Sequence, residues 1–236
     1  LLTFVMVPFY TKILSPADFG ISDILTTTTA MLVPLVSLNV FSAIFRFALD
    51  DENHIEIFTN GLLISLIGGF LSLVVSGILS LLGIKYSFLV GVYLGITLLL
   101  NLFQNFTRGI NKVKSFAISG IIATLSNVLS NVILMWVFKF GLNGYLCSLI
   151  ISALITTIFL FINNKLYTYI SLNKKSWSNT KDLLIYSIPM IPNSFAWWLT
   201  NDANKLIILA FVGPSDTGTD RQSVVEGQSF DSGGCR

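Results

Sequence analysis

Of 236 residues, 53% are hydrophobic and 11% are charged, and the mean hydropathy is +0.78. Globular chains carry about a quarter charged residues, so a soluble fold of this length cannot bury the apolar excess and the solvent must be lipid. The formal charge of +2, sorted into loops, gives no basis for nucleic-acid binding.

A membrane-crossing helix takes about 20 apolar residues. Seven segments are predicted in chain order: a partial first at 1–14, then 20–45, 58–82, 87–106, 116–138, 142–162 and 183–213. The runs are continuous rather than alternating, which predicts helices and not a β-barrel. Turn residues separate them, as at Ser15-Pro16-Ala17-Asp18, Leu82-Gly83 and Gly141-Leu142-Asn143-Gly144. The fold class is thus an all-α polytopic membrane protein. The chain opens inside an apolar run with no basic region and cleavage site before it, so it reads as a first helix missing its start rather than a signal peptide.

The loops alternate in charge. Lys12, Lys85 and Lys139 stand alone after the odd segments. Arg46, then Arg108, Lys112 and Lys114, then Lys165, Lys174, Lys175 and Lys181 follow the even ones. The positive-inside bias puts the richer loops in the cytoplasm, with the N-terminus cytoplasmic. The acidic stretch 50–56 weighs little in that rule. His54 within it has no HExxH-like partner and is expected to be solvated. Cys147 lies in an apolar run and is expected to pack, Cys235 lies in a polar tail, and no disulfide or metal framework follows.

Pro, Asp and Gly recur at one offset in Pro16-Ala17-Asp18-Phe19-Gly20 and Pro214-Ser215-Asp216-Thr217-Gly218, after the first and seventh segments. The seventh then restarts the architecture of the first, with six helices per unit. The division is an amino-terminal lobe at 1–170, an inter-lobe linker at 171–182, a seventh transmembrane helix at 183–218 and a polar tail at 219–236.

Several stretches carry a family resemblance. Pro8 and Thr11-Lys12-Ile13-Leu14-Ser15-Pro16-Ala17-Asp18-Phe19-Gly20 resemble the opening of polysaccharide-biosynthesis membrane proteins. These are the O-antigen and capsule flippases of the MOP (MATE-like) superfamily. Arg46, Arg108-Gly109 and Ser187-Ile188-Pro189-Met190-Ile191-Pro192 fit the same pattern, and the resemblance covers 1–218. It implies two six-helix lobes around a cavity and translocation of undecaprenyl-diphosphate-linked glycans by alternating access. It also implies no cofactor beyond proton or sodium coupling, with the bilayer, the lipid-linked glycan and polysaccharide polymerase or export proteins as partners. The family continues into an eighth helix, whereas 219–236 here is polar and Gly/Ser-rich and reads as a translated adapter rather than native protein.

The sharpest candidates lie in the seventh segment. Asp202 and Lys205 are three apart on one helical face, flanked by Asn201 and Asn204, about 15 Å inside the outer end. Ionisable groups at that depth are costly, so they either contact substrate or coupling ion or neutralise each other. Pro189 and Pro192 predict a kink in the same helix, either a gate or a structural bend. Trp197 and Trp198 line a cavity or pack. Arg46 can meet a diphosphate bidentately or snorkel. Asn101, Gln104 and Asn105 share one face of the fourth segment, and Asn127 and Asn131 one face of the fifth. Amides there line a sugar cavity or bind helices together. Asp23 is read as a helix-start charge, the Thr26–Thr29 run as bonded back onto its own helix, and Gly68-Gly69 as a close helix contact. With no P-loop, GxSxG, CxxC or metal-spaced cluster, no enzyme is expected. The competing readings are a MATE-type drug or cation antiporter and a membrane scaffold without transport.

Overall fold

The computed structural model describes residues 13–50, 53–171 and 177–200, all in helices, turns and short connections. The helices are α1 (Pro16–Val36), α2 (Val40–Asp50), α3 (His54–Leu81), α4 (Ser87–Gly109), α5 (Val113–Asn131), α6 (Gly141–Asn163), α7 (Trp177–Ser187) and α8 (191–200). Five helical stretches among the described residues are long and apolar enough to cross a membrane: α1, α3, α4, α5 with its π-helical extension, and α6. They match the second to sixth predicted segments. Most of the first segment, the seventh beyond Thr200 and the tail lie outside the described residues.

α1 starts where its capping chemistry puts it. The Ser15 hydroxyl accepts from the Asp18 amide at 3.1 Å and donates to Asp18 Oδ2 at 2.8 Å, with Pro16 in the first helical position. Asp18 is therefore the first-turn charge that favours the helix dipole. Asp23 does not fill that role: it sits in the second turn and is buried. Thr26 and Thr29 donate to carbonyls one turn back, at 2.9 Å to Asp23 and 2.8 Å to Leu25.

The second segment is not one helix. α1 ends at Val36, and α2 begins four residues later. The Asn39 amide donates to the Pro34 carbonyl at 2.8 Å and the Leu38 amide to Leu35 at 3.2 Å. That pairing is a Schellman closure, which needs a left-handed residue just past the helix. Leu38 and Asn39 supply it with φ of 51° and 53°. Asparagine tolerates that region, but leucine there is strained by about 1–2 kcal/mol. The carbonyl of Val36 lies opposite Gly68, where an added Cβ would come within 2.9 Å of it. Gly68 is halfway along α3, so the break sits at mid-depth in the bundle. Irregular backbone there is tolerated when protein covers it, and Ser37, Asn39 and Val40 are buried.

α3 and α4 pack through small residues. A Cβ on Gly69 would lie 3.6 Å from the Gly95 Cα, and one on Gly91 would collide with the Ser76 side chain. Removing side chains lets two backbones approach, which is how helices associate where lipid is the solvent. α5 and α6 join through polar groups: Ser148 donates to Asn131 Oδ1 at 2.7 Å and Ser152 to the Ala123 carbonyl at 2.7 Å. α5 continues as a π-helix over Val132–Val137. The largest core gathers α2, the start of α3 and the end of α4 around Ile44, Phe58, Leu102 and Phe106. Away from it, α3 presents large apolar side chains such as Ile67 and Phe70, exposed by 67% and 70%.

His54 is not solvated. It opens α3 half-buried, its ring centroid 6.3 Å from Phe106 and 6.4 Å from Tyr169. The helix begins earlier than the apolar run does, and its first turn is drawn into the aromatic cluster.

Candidate functional site

The end of α2, the last turn of α4 and the end of α7 converge on a pocket of about 550 Å³ lined by Arg46, Arg108, Asn105, Ser42, Tyr186 and Asp50, among others. Three local features build it. α2 carries Arg46 one turn before Asp50. α4 ends in a second Schellman closure, with Lys112 bonded back to Thr107 at 3.0 Å and Asn111 left-handed at φ 58°. That closure leaves Arg108 in the last turn, where the helix dipole favours a cation. Gly109 lets α2 and α4 meet, since a Cβ there would lie 2.6 Å from the Ala48 Cβ.

Aromatic faces hold both guanidinium groups. Arg46 lies 4.8 Å from the Tyr186 ring centroid. Arg108 lies between Phe45 at 4.3 Å and Phe116 at 5.3 Å. Stacking engages the face of a guanidinium and leaves its in-plane N–H groups to hydrogen-bond elsewhere. Arg46 reaches Asp50 only at 4.0 Å, in an exposed i,i+4 pair, and such pairs contribute little. Arg108 forms no ion pair among the described residues. Two fixed cations, an amide and two hydroxyl groups around one opening suit an oxyanion with several acceptor oxygens.

The structure brings Arg46 and Asn105 together and sets the other amides apart. Asn101 and Asn105 each donate to a carbonyl one turn back in α4, both at 2.9 Å. Gln104 is half-buried on the same helix. Asn131 is fully buried, holding the Asn127 carbonyl at 2.9 Å and Ser148 at 2.7 Å, and so joins helices rather than lining an opening. Pro189 lies in a 3₁₀ turn, Ile188–Met190, that separates α7 from α8, and Pro192 falls in the first turn of α8. Trp198 packs instead of lining a cavity: its indole N–H donates to the Thr27 carbonyl of α1 at 3.1 Å, while Trp197 is largely exposed. Asp202, Lys205, Asn201 and Asn204 lie outside the described residues.

Sequence reasoning had no role for Arg108 and Tyr186 in this site. Arg108 was legible as the residue one turn after Asn105. Tyr186 had no signal, since it meets Arg46 only through tertiary packing.

Comparison with known proteins adds two findings. The family described as polysaccharide biosynthesis protein matches residues 1–221. No curated protein matches the chain. Among solved structures, the chain is similar to one titled an inward-facing conformation of a multidrug resistance MATE family transporter of the MOP superfamily. The TM-score is 0.67 at 16% identity, over 92% of this chain and 56% of the transporter. At that identity the likeness speaks for the fold alone, and the chain spans little more than half of the transporter's length.

Proposed function

Since the chain belongs to the polysaccharide biosynthesis protein family and has a MATE-like multi-pass fold, we propose that it forms part of a flippase for lipid-linked oligosaccharides. The substrate class is a glycan on undecaprenyl diphosphate, and the route is alternating access across the bacterial cytoplasmic membrane. The basic pocket carries this reading. It is an opening among the described residues where two arginines meet a single acid, Asp50, which pairs weakly with Arg46, and that balance suits a diphosphate and disfavours an organic cation. Arg46 and Arg108 bind the diphosphate, Asn105 orients it, and Asp50 yields its weak hold on Arg46 as the ligand enters. The loops with several Lys and Arg residues put this end in the cytoplasm, where the lipid-linked glycan is loaded. Asp202 and Lys205 are proposed for ion coupling, and the Pro189 turn as the place where the seventh helix bends.

Binding of polyprenyl diphosphate to the reconstituted chain tests the reading. Arg46→Ala and Arg108→Ala should each weaken it by about 10-fold or more, the scale of a hydrogen bond to a charged group, with little change for an uncharged polyprenol. Equal affinity for diphosphate and uncharged polyprenol would overturn the assignment. Preferential binding of organic cations would move the chain to the antiporter reading.

A further inference from the structure

At the opposite end of the bundle from the basic pocket, α1 diverges from the α3–α4 pair and leaves a groove of about 330 Å³. Its walls are Leu25, Leu32 and Val36 of α1 and Leu71, Val75 and Leu79 of α3, and they are almost wholly apolar. The three serines among the lining residues are satisfied within the protein: Ser72 donates to the Gly69 carbonyl at 2.7 Å, Ser76 to Leu73 at 3.1 Å and Ser87 to Ile84 at 2.9 Å. Lys85, in the turn between α3 and α4, stands at the mouth.

We propose that this groove seats one acyl chain of an anionic phospholipid in the outer leaflet, with the lipid phosphate held by Lys85. The dimensions fit. From Leu25 to Val36 the groove runs eleven residues along α1, about 16 Å, and half a hydrocarbon core is about 15 Å. It ends at the α1–α2 break, which lies at mid-depth. The charge fits as well, since one cation at the interface complements one lipid phosphate. Among the described residues, other parts of the chain pack on the other side of α1. Leu14 and Phe19 pack with Met135 of the π-helix, and Trp198 bonds to Thr27. The groove is open between exposed Leu71 and Val75, towards the bilayer. The volume suits a single saturated chain better than a polyprenyl tail, which is several times larger. The outer-leaflet assignment rests on the orientation proposed above.

The chain in nanodiscs of phosphatidylglycerol and phosphatidylcholine, either lipid carrying a photoreactive acyl chain, tests this. Labelling by phosphatidylglycerol should favour Leu32 and Val75 several-fold over Ile67 and Phe70, which face outward on α3. Val75→Trp should abolish that excess, and Lys85→Glu should erase the preference for phosphatidylglycerol while Lys139→Glu leaves it. Even labelling along α3, or a preference that survives Lys85→Glu, would overturn the site. Displacement of the label by an equal amount of polyprenyl phosphate would overturn the choice of lipid. Reaction of Lys85→Cys with a membrane-impermeant thiol reagent on intact cells reads the orientation separately, so a failure there is distinguishable from a failure of the groove.

Discussion

Asn131 and Ser148 illustrate what a buried polar pair does where water is scarce. Asn131 is fully buried, spends its amide N–H on its own helix and offers its oxygen to Ser148 across the α5–α6 contact. Interhelical hydrogen bonds of this kind contribute about 0.6 kcal/mol on average in membrane proteins, and up to about 1.7. Ser148→Ala should therefore lower the thermal midpoint in detergent by a few degrees, and Asn131→Leu by more, because it also removes the bond to the Asn127 carbonyl. Neither should alter diphosphate binding at the far pocket. That amides at i,i+4 spacing sit together on one helical face is legible from sequence. Which face meets another helix depends on the packing of that helix, and here it sends Asn131 inward and Asn105 to an opening.

At the scale of elements, the α2–α4 contact decides the pocket. Gly109 faces Ala48 and the Phe45 carbonyl, the latter 3.1 Å from an added Cβ. Gly109→Val should destabilise by about 1–3 kcal/mol through overpacking. It should also weaken diphosphate binding several-fold by spreading Arg46 and Arg108. A loss of stability with affinity unchanged would show that the two arginines do not act together. Five membrane helices were readable from apolar length, since nothing soluble needs 20 such residues in a row. The break in the second segment was not, because Leu38 gives no local sign of a left-handed backbone. Pro34 and Asn39 mark the place only once the Schellman bonds are seen.

For the whole molecule, the orientation proposed from charge counting has a direct test. In a background without Cys147 and Cys235, single cysteines replacing Lys85 and Lys139 should react with an impermeant reagent in intact cells, and those replacing Lys112 and Lys165 only after permeabilisation. The inverse pattern would turn the bundle over and place the basic pocket outside, away from substrate made in the cytoplasm. The family was legible at this scale from a few loop motifs in order. The basic pocket needed three elements far apart in sequence, 42–50, 105–108 and 186–190, and no single motif spans them.

The three-residue joint between α1 and α2 has a mechanical consequence. It turns one crossing into two rods on a pivot, the longer of them 21 residues or about 31 Å. A swing of about 10° at the pivot carries the far tip about 5 Å by lever geometry. The lower rod is clamped in the core beside the arginines, while the upper one forms a wall of the lipid groove. The width of that groove is therefore an angle at Leu38 and Asn39, and a wedge of lipid at one end presses on the same joint that a substrate at the other end would have to turn.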